Sequence, residues 1–329
     1  MSGEKFIELE GVYVRLGGKT VLENVSFYAE KGELIAVIGG SGAGKTTCLR
    51  VLTGQLHPAK GEVHVAGINV VKEKEKLKHV LGYVPQLDEV GLYYEFSALK
   101  NACLFARMYG VPEREAKRRA IEILEVLGFK DRELMEKPVG KLSGGERKRV
   151  SICIGLIHEP QVLLLDEPTT GLDAHLRVDV LNYLRNINKQ YNVTMGIVSH
   201  DLETTDFCDR VVILDRGRVV LFGDPKKFVD SIRAGYAFEV SFKKLTEKDV
   251  SKIKDLRIVV NVLRTGRKTL KIFVKRVEDP LNLLLSGLED AGLTPTSITS
   301  SDITFTDYFR IAAMERKEEY FPTELLEST

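Results

Sequence analysis

"LIAVIGGSGAGKTTCLRVL", residues 34–52, is the stretch that decides the fold. Its first part, Leu34 to Ile38, is a continuous apolar run, which predicts a strand buried on both faces. From Gly44 onward the apolar residues take helical spacing, and the pattern stops near Gly54 and Pro58. Between strand and helix, "GGSGAGKT" (residues 39–46) fits G-x-x-x-x-G-K-[ST], in the context that gives that spacing its meaning. Glycines let backbone N–H groups turn toward a phosphate, and the helix N-terminus adds partial positive charge. The candidate phosphate-binding residues are therefore Gly39, Gly40, Ser41, Gly42, Ala43, Gly44, Lys45, Thr46 and Thr47. Lys45 would reach the β- and γ-phosphates, and the Thr46 hydroxyl would ligate Mg²⁺. A turn that only joins strand to helix needs neither side chain.

Upstream, "FIELEGVYVRL" (6–16) and the stretch that follows alternate apolar and polar residues around Gly17-Gly18 and Lys31-Gly32, as strands joined by turns do. Downstream come a helix-rich block from about Leu99 to Leu127, a buried strand "QVLLLD" (161–166) and a helix from about Ala174 to Gln190. A buried strand "VTMGIVSH" (193–200) and short strands in "RVVILDRGRVVLFGD" (210–224) complete this part. Strands alternating with helices predict an α/β fold with a doubly wound, mostly parallel sheet, beside an antiparallel part built from the first strands.

The tail reads differently. "YAFEVSF" places Tyr236, Phe238, Val240 and Phe242 on one strand face, "TEKDVSKIKDL" (246–256) has helical spacing, and residues 257–275 form a hairpin turning at Gly266. Asp279-Pro280 starts a helix, "TSITSS" (296–301) is a last strand, and a final helix covers "TDYFRIAAMERKEE" (306–319). The order βαββαβ predicts a small ferredoxin-like α+β domain, most of whose charges form a solvated face. The expected division is 1–232, with a helical subdomain over about 88–160, followed by 233–329.

Composition narrows the function classes. The 329 residues carry 48 Lys+Arg and 47 Asp+Glu, a net charge of +1, so no overall field favours a polyanion, and no nucleic-acid partner is expected. The four cysteines include no C-x-x-C pair, which argues against a zinc site or disulfide framework. The N-terminal stretch "MSGEKFIELE" lacks the apolar core of a signal peptide, and no apolar run approaches the roughly 20 residues of a membrane span. A cytoplasmic location is expected, and any work at a membrane requires a partner that supplies the spans.

Three further stretches carry chemistry. "VLLLDE" (162–167) ends a buried strand in two carboxylates, which are costly together unless a cation sits nearby. Strand alternation points them to opposite sides, so Asp166 would hold Mg²⁺ and Glu167 would face an attacking water as general base. His200 ends another strand on the same sheet edge, where doubly wound sheets bind ligands, and would meet the γ-phosphate. "GKLSGGERKRVSICIG" (140–155) runs two glycines into a helix; Ser143 offers a hydroxyl, while Gly144 and Gly145 permit close backbone approach to an anion or simply belong to a helix cap.

"GGSGAGKT", "VPQ", "LSGGE", "VLLLDEP", "GLD" and the histidine of "VSHD" follow one another as in an ATP-binding cassette (ABC) ATPase, which residues 5–230 resemble. The resemblance implies binding and hydrolysis of ATP with Mg²⁺, and two cassettes, a homodimer or a pair of paralogues, packed head to tail. Ser143, Gly144 and Gly145 of one chain would then close over the nucleotide of the other. It also implies that Gln86 completes the Mg²⁺ shell and senses a membrane-spanning permease subunit, and that Asp173 links the two active sites. Leu16 falls where the family usually has an aromatic residue stacked on adenine; Tyr13, three residues earlier, would face the other way on a regular strand. "GYVPQLDEVGLYYEFSALKNACLFARMYGVP" and the small tail domain resemble the separate ATPase subunits of drug-resistance and ABC-2 exporters, peripheral on the inner face of the membrane. Soluble cassettes acting on ribosomes or DNA are the alternative; they usually carry two cassettes or long insertions, and none is visible here.

Overall fold

The structure is a computed structural model and describes residues 3–86 and 91–315. In chain order its elements are β1 (Lys5–Leu16), β2 (Lys19–Glu30), β3 (Leu34–Ile38), α1 (Lys45–Leu52), β4 (Lys60–Val65), β5 (Ile68–Asn69), α2 (Lys74–Val80) and β6 (Leu81–Val84). There follow α3 (Ala98–Met108), α4 (Glu113–Val126), α5 (Arg132–Glu136), α6 (Gly144–Leu156), β7 (Val162–Asp166), α7 (Ala174–Tyr191), β8 (Thr194–Ser199), β9 (Arg210–Asp215) and β10 (Arg218–Gly223). The tail holds α8 (Pro225–Asp230), β11 (Tyr236–Phe242), α9 (Glu247–Lys254), β12 (Val259–Arg264), β13 (Thr269–Val274), α10 (Pro280–Asp290), β14 (Pro295–Ser301) and α11 (Phe305–Glu315). The chain divides into two compact units, the first ending at Phe222 and the second beginning at Gly223.

In the first unit, a sheet ordered β2-β1-β4-β5 has antiparallel neighbours, and a second sheet is ordered β10-β9-β3-β8-β7-β6. From β9 to β6 the neighbours of the second sheet run parallel. One core joins the two: Ile7, Val25 and Phe27 of the first sheet pack with Val37, Leu164 and Val198 of the second and with Cys48 and Leu49 of α1. This explains why β3, β7 and β8 read as uninterrupted apolar runs: all of their residues are buried. After β3 the chain crosses to the β6 edge and returns through β7 and β8, then places β9 on the other side of β3. The carboxyl ends of β3 and β8 thus lie where the winding changes direction, the position at which such sheets bind ligands. The helices α3 to α6 make up the helical region; residues 88–90 of its expected start lie outside the described residues. No helix among the described residues is long and apolar enough to cross a membrane.

The second unit contains the predicted split βαββαβ: its sheet is ordered β12-β13-β11-β14, with antiparallel neighbours. The division falls at 222/223 and not after 232, because α8 packs within the tail: Phe228 stacks on Tyr308 with ring centroids 5.3 Å apart and meets Phe305 edge-on. The sheet is also covered on both faces. Phe238, Val240 and Phe242 pack with Ile253 of α9 and with Leu284 and Leu288 of α10, while Ala237, Leu263 and Phe273 pack with Ile311 of α11. Ala237 is therefore buried, and Tyr236 at the strand's open end is 41% exposed. Lys271 on β13 and Asp307 on α11 form a buried pair at 2.8 Å, and the Lys271 ammonium also donates to the Asp302 carbonyl. Burial of two charges is tolerable only with this degree of mutual satisfaction. The final helix is described to Glu315; the expected residues 316–319 lie outside the described residues.

Candidate active site

The loop after β3 takes a path open to few sequences. Gly44 sits at φ +105°, and a β-carbon on Gly39 would lie 2.5 Å from the Leu214 carbonyl oxygen, so backbone conformation demands glycine at one position and space demands it at the other. Lys45, the first residue of α1, folds back over the loop and donates to the carbonyls of Gly39 at 2.7 Å and Gly40 at 3.1 Å. Burial pulls its ammonium below the usual lysine range, against the opposing pull of Glu167 and Asp166. Ser41, Gly42 and Thr46 are exposed, Thr47 is half-buried, and Ala43 is buried.

Glu167 and His200 come together with Lys45. Glu167 Oε1 lies 3.8 Å from the Lys45 ammonium, and Oε2 meets His200 Nδ1 at 2.8 Å and the Thr170 hydroxyl at 2.9 Å. An ionised carboxylate only accepts, so His200 carries its proton on Nδ1 in this contact and Nε2 is left for another partner. Thr170 went unnoticed in the sequence; its signal is a hydroxyl three residues after the second carboxylate.

Asp166 and Glu167 sit in different surroundings, and simple strand alternation is not the reason. Asp166 ends β7, whereas Glu167 already adopts a left-handed backbone with φ +48°, at a cost of about 1 kcal/mol. Its N–H nonetheless bonds the Val198 carbonyl at 2.9 Å, which holds the turn against β8. Asp166 is 4% exposed, and its Oδ1 has no hydrogen-bond partner in the structure. Burial, and next the charge of Glu167, push its carboxyl above the ordinary range, while Lys45, Lys148 and Arg50 pull the other way. A buried, orphaned carboxylate oxygen beside a phosphate-binding loop fits a divalent cation.

With its folded pKa raised, Asp166 keeps a proton that the unfolded chain has already lost, so stability falls as pH rises from the ordinary carboxylate value through the raised one. At neutral pH the ionised group is a net cost that Mg²⁺ would offset. Asp166→Asn is expected to raise the melting temperature of the nucleotide-free protein while erasing the additional stabilisation that Mg²⁺ confers with ATP, both read by scanning calorimetry. An undiminished Mg²⁺ effect would assign the metal to other ligands.

The remaining candidates stand apart from this cluster. Gln86 follows β6 and is exposed; its carbonyl, with that of Pro85, accepts from the ammonium of Lys148, which is buried on α6. Lys148 was missed because a lysine inside "ERKRV" reads as one more surface charge. Ser143 caps α6 through a full capping box: its hydroxyl accepts from the Glu146 N–H at 3.2 Å, and Glu146 Oε2 accepts from the Ser143 N–H at 2.7 Å. This gives Glu146 a use inside the chain. Gly144 and Gly145 have none of comparable kind. Neither has a positive φ, and a β-carbon on either would meet nothing closer than 3.6 Å. Asp173 is the exposed N-cap of α7 and makes no side-chain cap bond.

Leu16 ends β1, is 40% exposed, and pairs with Lys19 across the Gly17-Gly18 turn. The expectation that Tyr13 faces away from it presumed a regular strand, and β1 is not one: register shifts fall between Val12 and Val14 and again between Val14 and Arg15. Arg15 and Leu16 are consecutive exposed residues, so alternation does not carry from position 13 to 16.

The ABC transporter family profile matches residues 22–170. The linearmycin resistance ATP-binding protein LnrL of Bacillus subtilis is 31% identical over 257 residues, 78% of this chain and 81% of that protein. Among solved structures, cbiO1 of Clostridium perfringens, part of the ABC transporter complex cbiONQ, superposes with TM-score 0.64 at 28% identity, covering 78% of this chain and 96% of that one. The ATP-binding cassette MJ0796, a dimer in a post-hydrolysis state bound to ADP and Pi, superposes with TM-score 0.58 at 26% identity, covering 67% and 98%.

Proposed function

Because the chain belongs to the family of ABC transporter ATP-binding proteins, we propose that two such cassettes, copies of this chain or this chain and a paralogue, close head to tail over two Mg·ATP and drive a separate membrane-spanning permease in the direction of export. The chain is an ATPase, and ATP with Mg²⁺ is its substrate and metal. It would sit on the inner face of the membrane through the permease.

One observation carries the pairing. Gly144 and Gly145 open α6 without any steric or conformational need inside this chain. Two residues without side chains there leave room for a group from outside, and the helix N-terminus beneath them favours an anion. A nucleotide held by the phosphate loop of a second cassette supplies that anion. The dimeric state of MJ0796 supports the same arrangement. Export is supported by the likeness to LnrL, whose name is that of a resistance protein.

Within the site, Lys45 would exchange the Gly39 and Gly40 carbonyls for the β- and γ-phosphate oxygens. Glu167 would accept the proton of the attacking water, held in place by Thr170 and His200. His200, with Nε2 free of that contact, would meet the γ-phosphate. Asp166, Thr46 and Gln86 would hold Mg²⁺, which would supply neutralising charge to the phosphates. Leu16 would offer adenine an apolar surface in place of an aromatic ring.

Sedimentation of the purified chain tests the pairing. Saturating Mg·ATP is expected to convert monomer to dimer, and chelation of Mg²⁺ to reverse it. A protein that binds ATP yet stays monomeric at every concentration, alone and mixed with its paralogues, would contradict the proposal.

A further inference from the structure

Arg177 lies in the first turn of α7, where the helix dipole disfavours a cation. Two contacts hold it there. Its Nε donates to the Leu172 carbonyl at 3.1 Å, and its Nη1 donates to Asp201 Oδ2 at 3.2 Å. Leu172 immediately precedes Asp173, and Asp201 immediately follows His200. One guanidinium therefore grips the two segments that carry these residues.

The two segments differ in how firmly they are held. Asp201 is buried, takes a hydrogen bond from the Glu203 N–H at 2.9 Å, and donates its own N–H to the Ser199 hydroxyl at 3.0 Å. Asp173 is exposed, and its loop is held by backbone bonds, Leu172 N–H to the Thr169 carbonyl and Arg177 N–H to the Asp173 carbonyl. A load on Asp173 reaches the Leu172 carbonyl first, then the guanidinium, then Asp201, and so the backbone of His200, whose ring contacts Glu167.

We propose that Arg177 is a positioning residue that couples the Asp173 loop to His200, so that a second cassette engaging Asp173 sets the His200–Glu167 contact. This rests on the pairing of cassettes argued above. A purely structural role predicts something else. With side-chain exposures of 38% and 10%, the Arg177–Asp201 pair would contribute little to stability and nothing to turnover. Lysine could keep the charge but not grip both segments with one planar group.

The test is ATP hydrolysis by the full chain as a function of ATP concentration, for the parent, Arg177→Met, Asp201→Asn and the double variant. Each single variant is expected to lower kcat roughly ten- to a hundredfold with KM within about twofold, and the double variant to be no slower than the slower single one. Asp201→Asn changes no volume and carries the test if Arg177→Met does not fold. Parental kcat in both single variants, or losses that multiply in the double variant, would overturn the coupling. Glu167→Gln in the same assay separates the two levels of inference. If it keeps parental turnover, the site assignment fails and takes this proposal with it; if it abolishes turnover while both single variants hydrolyse normally, the coupling alone fails.

Discussion

Glu167→Gln is expected to bind ATP as tightly as the parent or tighter, to lose turnover by a factor of about a hundred to ten thousand, and to accumulate as an ATP-bound dimer. The glutamine amide has the size of the carboxylate and can still accept from Thr170, so the site keeps its shape. What it cannot do is take a proton. The substitution also removes a negative charge beside Asp166, one of the causes of that group's raised pKa, and so eases the approach of a polyphosphate. Single-turnover hydrolysis and gel filtration with ATP read the two effects separately. Hydrolysis at the parental rate would rule Glu167 out as the base.

Ser143→Arg has the second largest expected effect, and it should divide binding from closure. Ser143 is exposed at the N-terminus of α6, and its hydroxyl serves the capping box of its own helix. Binding of ATP by the monomer should therefore stay within about twofold, since Lys45 and the loop 39–47 are untouched, whereas ATP-dependent dimerisation and turnover should vanish. Removing the cap alone costs about 1 kcal/mol, so Ser143→Ala serves as the control. It should lower the melting temperature slightly and weaken dimerisation without eliminating it. If Ser143→Arg reduced monomer affinity as much as dimerisation, the in-trans role of the signature would be wrong.

The two substitutions mark how unevenly the site was legible. The loop 39–47 could be read because its chemistry is local: strand, glycines, lysine and helix start follow one another in the chain, and no distant residue is needed to interpret them. The carboxylate pair and His200 were legible as polar residues ending apolar strands, where a buried parallel sheet leaves few other reasons for them. The contacts that tune them were not. Lys148 and Arg177 are ordinary residues in their local sequence and bond partners placed by tertiary packing, while Thr170 meets Glu167 three residues back across a left-handed turn that the sequence does not announce. Leu16 and Tyr13 show the limit of periodicity, because the irregular register of β1 cancels an argument from alternation.

By itself, then, the sequence determined the order of elements, the phosphate loop, the βαββαβ order of the tail and the residue types that could bind a nucleotide, since each depends on short-range periodicity and backbone conformation. Only the tertiary structure decided that Glu167 leaves its strand in a left-handed turn, that Asp166 keeps an oxygen without a partner, that α8 belongs with the tail, and that the tail sheet is covered on both faces. Those outcomes follow from which surfaces meet across the chain, and burial, charge and hydrogen-bond satisfaction are properties of that meeting.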